Sequence, residues 1–205
     1  MKQLVVISGK GGTGKTVVTA AFASLCQSKV MVDCDVDAAD LHLLLQPQST
    51  EEHEFRSGKT AVIDTSLCTQ CGACIKACRF GAIKDDFFVE DFSCEGCGLC
   101  ARICPAGAIR MRENIAGKWF VSQTRFGTLV HAKLGIAREN SGKLVTKIRQ
   151  EAKERAEKEK RSFVIIDGPP GIGCPVIASR SGVDCCLVVT EPTLSGLHDA
   201  RRVIE

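Results

Sequence analysis

Apolar residues along this chain fall into two regimes that change near residue 60. Leu4-Val5-Val6-Ile7 is a short apolar run stopping at Ser8-Gly9, the pattern of a buried strand entering a tight loop. From Thr16 to Gln27, Val17, Val18, Ala20, Ala21, Ala23 and Leu25 recur at helical spacing, and the small members allow close packing on a sheet. Lys29-Val30-Met31-Val32-Asp33 follows as a second apolar run. Strand, glycine loop, helix and strand in this order predict the opening of a parallel α/β sheet with a right-handed crossover.

The periodic signal lapses from Thr60 to about Arg112, where the chain consists of two similar halves, and then returns. Ser122 to Lys133 alternates loosely, and Phe163-Val164-Ile165-Ile166-Asp167 predicts a buried strand ending on an acid. Cys185 to Thr190 predicts one more strand, and Leu194 to Glu205 the helix after it. Leu144 to about Arg161 predicts a helix with Leu144, Ile148 and Ala152 inward. Its segment from Lys143 to Arg161 carries eight basic residues and four glutamates. Opposite signs at i,i+3 and i,i+4 make this a solvated outer face. The resulting organisation is one α/β domain in two parts, residues 1–59 and 113–205, interrupted by an insertion at 60–112.

Composition narrows the picture. A chain of 205 residues accommodates one core plus a small satellite. Its 27 basic and 24 acidic residues nearly cancel, no basic stripe is interleaved with aromatics, and Tyr is absent, so no nucleic-acid partner is expected. No leader and no apolar stretch of bilayer length is visible, which predicts a cytoplasmic protein without an integral membrane segment. In that compartment the 13 cysteines stay reduced and free to bind metal.

Gly9-Lys10-Gly11-Gly12-Thr13-Gly14-Lys15-Thr16 matches G-x-x-x-x-G-K-[ST] between a predicted strand and a predicted helix, the context of a phosphate-binding loop. Gly9, Gly11, Gly12 and Gly14 let backbone N–H groups, with that of Thr13, turn inward around phosphate oxygens at a helix N-terminus. Lys15 is placed to reach the β- and γ-phosphates, and Thr16 to hold Mg²⁺.

Cys68-x2-Cys71-x2-Cys74-x3-Cys78 recurs 26 residues later as Cys94-x2-Cys97-x2-Cys100-x3-Cys104-Pro105. Gly72/Gly98, Gly81/Gly107, Ala82/Ala108 and Ile83/Ile109 repeat at the same offset, so the segment is an internal duplication. This spacing belongs to two-cluster ferredoxins, in which the fourth cysteine of each run ligates the other cluster. One [4Fe–4S] cluster is therefore assigned to Cys68, Cys71, Cys74 and Cys104, and the other to Cys94, Cys97, Cys100 and Cys78. Zinc sites pair C-x2-4-C elements across a longer gap and do not need three cysteines at i, i+3 and i+6. Metal–ligand bonds would supply stability that so short an insertion cannot draw from burial. The first run departs from the pattern in having Arg79 where the second has Pro105. Of the remaining cysteines, Cys26, Cys185 and Cys186 lie in predicted core elements as small apolar residues. Cys34 lies after the second strand, and Cys174 just beyond Gly171.

Lys10, early in the phosphate loop, gives the chain its family likeness. The loop resembles those of the deviant-Walker-A ATPases, the family of the cell-division ATPase MinD, the partition ParA proteins and the nitrogenase iron protein. The resemblance implies that Lys10 reaches across a nucleotide-bound homodimer to the partner's phosphates, in a role like that of an arginine finger. Asp33-Cys34-Asp35-Val36-Asp37 resembles switch I, with Asp35 orienting the attacking water. Phe163 to Asp167 followed by Gly168-Pro169-Pro170-Gly171 resembles Walker B and switch II, with Asp167 at Mg²⁺. Lys10, Lys15, Asp35 and Asp167 are then the catalytic set, and Thr190 joins the nucleotide-binding residues. Cys174 falls where the nitrogenase iron protein places a cluster-bridging cysteine, against which stands an ordinary packed thiol. Longer relatives continue past the segment resembling Val188 to Thr193, whereas this chain ends within the next helix. The fold implied is a mostly parallel P-loop NTPase sheet, truncated at its C-terminus, with an inserted small α+β dicluster ferredoxin. The function implied is ATP·Mg²⁺-dependent dimer closure coupled to electron transfer toward a redox or iron–sulfur acceptor protein. Two alternatives stay open: a cluster or metallocofactor assembly ATPase, and a MinD-like positioning scaffold.

Overall fold

The computed structural model describes residues 1–135 and 140–205. In chain order the elements are β1 (Lys2–Ser8), α1 (Lys15–Leu25), β2 (Lys29–Asp33), α2 (Leu41–Leu45), β3 (Ser49–Ile63), α3 (Ala73–Ala77), α4 (Leu99–Ile103), β4 (Ile109–Thr124), β5 (Gly127–Leu134), α5 (Ser141–Lys158), β6 (Phe163–Pro170), α6 (Cys174–Arg180), β7 (Cys185–Val188) and α7 (Leu194–Ile204). The chain divides into a unit of Met1–Phe55, Gly117–Gly135 and Asn140–Glu205, and a second unit containing Arg56–Ala116. β3 carries the chain out of the first unit and β4 returns it.

The strand order is β3-β4-β5-β2-β6-β1-β7. From β5 to β7 every neighbour is parallel, whereas β4 and β5 form an antiparallel hairpin around Arg125-Phe126. Period-2 alternation sends successive side chains of the central strands to opposite faces. Val30, Val32, Val130, Ala132, Val164 and Ile166 pack on one side with Leu144, Val145, Ile148, Ala152 and Ala156 of α5. Met31, Leu129 and Ile165 face the other side, against Ala23 of α1 and Leu41 and Leu45 of α2. Both faces of the central strands β5, β2 and β6 are covered, which is why these strands read as apolar runs. Burying each Val, Leu or Ile contributes roughly 1.5–3 kcal/mol, so these two layers hold the unit together.

One expectation is overturned, and one element was not expected. Cys185 and Cys186 are exposed and Cys26 is half-buried, not core residues. β7 is the outermost strand and pairs on its β1 side, so its thiols lack the second covering layer that the central strands have. The stretch Ser49–Ile63, which shows no apolar periodicity, is a strand of 15 residues. Its stability comes from pairing beside β4, not from burial: Lys118 meets Glu52 at 2.6 Å, and His53 stacks on Trp119 with ring centroids 4.0 Å apart.

In the second unit the duplication is visible in the backbone. Gly72 and Gly98 have φ of 71° and 72°, and Gly81 and Gly107 have 62° and 61°. These left-handed positions are open to glycine without steric cost. Gly72 and Gly98 start the matching short helices α3 and α4. A small core of Ala61, Cys74, Ile83, Val89 and Ile109 carries most of the remaining cysteines of the two runs at its margin. Among the described residues no helix is long and apolar enough to cross a membrane.

Candidate functional sites

The phosphate loop leaves β1 and opens α1. Gly12 and Gly14 adopt φ of 80° and 85°, and Gly14 is the N-cap of α1. Gly9 is required for a different reason: a Cβ there would lie 2.5 Å from the backbone carbonyl of Asp199 in α7. Lys15 is 7% exposed, and its Nζ sits 3.1 Å from Oδ1 of Asp167, which is 1% exposed. The Thr19 hydroxyl, one turn after Lys15, lies 3.0 Å from the same oxygen, and Thr16 Oγ1 is 3.4 Å from Nζ. Asp167 Oδ2 and Thr13 Oγ1 are buried with no hydrogen-bond partner among the described residues. A buried acid with a free oxygen beside Thr16, and a free hydroxyl in a glycine-rich turn, fit the donor set that Mg²⁺ and phosphate require.

The segment after β2 is built on Asp33, the last residue of that strand, whose two oxygens accept the Asp35 and Leu41 N–H groups at 3.0 Å each. Burial, and secondarily the neighbouring Asp167, push its pKa up to about 7. Asp35 stands half-buried beyond it, with its carboxyl held above the usual range by burial and drawn back by Lys15. Lys10 pairs within the chain with Glu191, Nζ to Oε2 2.8 Å, both side chains about a third exposed (36% and 37%). The hydrogen bond to Glu191 raises the Lys10 pKa. The Thr190 hydroxyl donates to the Gly196 carbonyl at 2.9 Å, at the start of α7. Cys174, the first residue of α6, is exposed.

The chain thus brings Lys15, Thr16, Asp35 and Asp167 together, while Lys10 and Thr190 lie toward the α7 end with Glu191. Asp33, Thr19 and Glu191 were not singled out as site residues from the sequence. Asp33 had a legible signal, since it ends an apolar strand as Asp167 does. Thr19 and Glu191 had none beyond their helical or loop placement.

In the second unit the eight thiols form two rings. Cys78, Cys94, Cys97 and Cys100 line one cavity of about 290 Å³. Cys68, Cys71, Cys74 and Cys104 line a second, tighter one of about 10 Å³. Each ring draws three thiols from one run and its fourth from the other. None is in a disulfide. Among the described residues no three His, Cys, Asp or Glu side chains close around a single ion. The thiols instead surround spaces walled mainly by apolar groups, a donor set of soft sulfur ligands suited to an iron–sulfur cube. Burial raises the pKa of the Cys74 and Cys100 thiols.

Comparison with known proteins matches residues 61–84 and 89–110 to the family described as 4Fe-4S binding domain. The chain is 37% identical over 206 residues to the Methanocaldococcus jannaschii protein MJ0578, covering 99% of this chain and 72% of that protein. It is 28% identical over 217 residues to MJ0579 of the same organism, covering 100% of this chain and 75% of that one. Among solved structures, the cell division ATPase MinD of Pyrococcus furiosus aligns with a TM-score of 0.49 at 19% identity. The septum site-determining protein MinD of Pyrococcus horikoshii OT3, complexed with Mg-ADP, aligns with a TM-score of 0.47 at 18% identity. This chain spans 64% and 61% of those two structures.

Proposed function

This chain belongs to the family of Methanocaldococcus jannaschii MJ0578, and we infer that its phosphate loop and its 4Fe-4S binding segment serve one function. We propose that it is an ATP-binding and ATP-hydrolysing iron–sulfur protein in which nucleotide-dependent closure of two copies is coupled to electron transfer. The observation that carries the reading is the coexistence of two features in one chain. One is a phosphate loop whose lysine rests on Asp167, and the other is two four-thiol rings in the segment between β3 and β4.

In this reading Lys15 exchanges Asp167 for the β- and γ-phosphates when nucleotide binds. Asp167 is then free to hold Mg²⁺ together with Thr16, and Asp35 orients the attacking water. Lys10 exchanges Glu191 for the phosphates of the second copy, as in the deviant-Walker-A ATPases. Gly168 to Gly171, which directly follow Asp167, respond to the γ-phosphate. Cys68, Cys71, Cys74 and Cys104 would hold one [4Fe–4S] cluster, and Cys94, Cys97, Cys100 and Cys78 the other. Bound there, each cluster supplies one-electron chemistry that no side chain of the chain supplies. The acceptor is a redox or iron–sulfur protein that docks on the homodimer.

The test is anaerobic purification of the full chain followed by EPR of the reduced protein with and without ATP·Mg²⁺. A nucleotide-dependent change in potential, or in the rate of reoxidation by an acceptor, is the expected result; spectra and rates blind to nucleotide refute the coupling. Lys10→Ala should abolish dimer-dependent hydrolysis with the iron content unchanged, and undiminished hydrolysis refutes its role across the interface.

A further inference from the structure

The two thiol rings differ in the charge around them. The wall of the larger cavity, beside Cys78, Cys94, Cys97 and Cys100, contains Arg79, Arg102 and Glu95. Among the described residues no charged side chain lines the smaller cavity, where Thr69 and Pro105 stand at the positions that the 26-residue repeat equates with Glu95 and Arg79. The repeat equates Arg102 with Lys76, but Lys76 is not part of the smaller cavity's wall. Both guanidinium groups are held in place. Arg79 lies over the Phe80 ring at 5.0 Å from its centroid, and Arg102 Nη2 donates to the carbonyl of Cys97, a member of the ring, at 3.2 Å.

A guanidinium keeps its charge at every pH the protein meets. Positive charge beside an iron–sulfur centre favours the state with one more electron and so raises its potential, as net charge and hydrogen bonding do generally. One feature opposes the contrast: the Ala108 N–H donates to Cys104 Sγ at 3.4 Å, on the smaller ring. That is a single neutral dipole at long range, set against two full positive charges partly offset by one carboxylate.

Resting on the two-centre reading above, we propose that Arg79 and Arg102 make the two centres unequal, with the centre held by Cys78, Cys94, Cys97 and Cys100 at the higher potential. One electron delivered by a one-electron donor to either centre then settles at the arginine-flanked one. In that exchange the smaller ring's centre is oxidised by one electron and the larger ring's reduced by one. The departure from Cys-Pro to Cys78-Arg79 is in this light a determinant of direction.

The experiment is an EPR-monitored redox titration of the anaerobic full chain, preceded by iron and sulfide determination. About eight irons per chain and two separate one-electron couples are expected. Arg79→Gln should lower the higher couple alone and narrow the gap, and Arg79→Lys should restore most of it. Arg102→Gln should move the same couple, which keeps the test available if one variant loads poorly. High salt should narrow the wild-type gap, because both arginines are exposed and therefore screened. With eight irons present, a single couple, or an Arg79→Gln shift in the lower couple or in both equally, overturns the proposal and leaves the two-centre reading standing. About four irons per chain overturns the two-centre reading itself.

Discussion

Replacing Lys15 by Met in the nucleotide-free protein removes the cation from a buried pair with an Nζ to Oδ1 distance of 3.1 Å. Coulomb attraction at that separation, 3.1 Å, is about 5 kcal/mol at an effective dielectric of about 20. Desolvation of both groups cancels much of this, so the pair itself adds little net stability. Breaking it is another matter, because among the described residues Asp167 is left in the core with Oδ2 unpartnered and only the Thr19 hydroxyl near Oδ1. Removing one member of a buried pair costs about 3–5 kcal/mol, and the remaining Thr19 contact puts Lys15→Met near the lower end, about 3 kcal/mol. Asp167→Asn should be destabilising for the converse reason. The double variant removes both charges and should recover most of the loss, with a coupling of at least about 2 kcal/mol. Urea unfolding reports this through Trp119, the sole tryptophan, which is buried in the α/β unit. Saturating ATP·Mg²⁺ at about 100 times Kd should stabilise the wild type by about 2.7 kcal/mol and leave Lys15→Met unmoved. A Lys15→Met loss under about 0.5 kcal/mol, or strict additivity in the double variant, would refute the account of Lys15 resting on Asp167.

Two further outcomes follow from the geometry. Asp33, with its pKa pushed up to about 7, binds a proton in the folded chain that the unfolded chain has released. Its contribution is therefore full below about pH 4 and is lost as pH rises to about 7. Because buried His131, lowered to about 4, contributes the opposite slope up to about pH 6.5, the check is the difference in unfolding free energy between wild type and Asp33→Asn across that range. In the second unit, a Cβ on Gly96, which has φ of 64°, would run into the Lys59 carbonyl. Gly96→Ala should displace the turn between Cys94 and Cys97 and lose about half the iron by colorimetric assay, and full iron content would contradict the assigned ring.

The phosphate loop and the two cysteine runs were legible in the sequence because each depends on spacing along a short stretch of chain. A glycine-rich turn between strand and helix, or three thiols at i, i+3 and i+6, is set by local backbone geometry. The duplication was legible in the same way, and the paired left-handed glycines at 72 and 98 and at 81 and 107 are its backbone image. The central strands were legible because both faces are buried, which leaves an unbroken apolar run. β3 was not, since its residues are held by pairing with β4 and by cross-strand contacts such as Glu52–Lys118, and neither leaves an apolar period.

What the sequence determined by itself is therefore the chemistry available: a phosphate loop with an early lysine, an acid ending an apolar strand, and eight thiols in two runs. What the tertiary structure decided is which groups meet and which are covered. Asp33 and Asp167 come together because β2 and β6 are parallel neighbours in register at those two residues. Lys10 meets Glu191 across the fold, and the carbonyl of Asp199 closes on Gly9, where no side chain fits. Cys185 and Cys186 are exposed because β7 lies at the sheet edge. Arg79 and Arg102 reach the wall of the same cavity although they are 23 residues apart. Each of these depends on contacts between residues distant in sequence, where burial and charge are set by neighbours that local spacing does not specify.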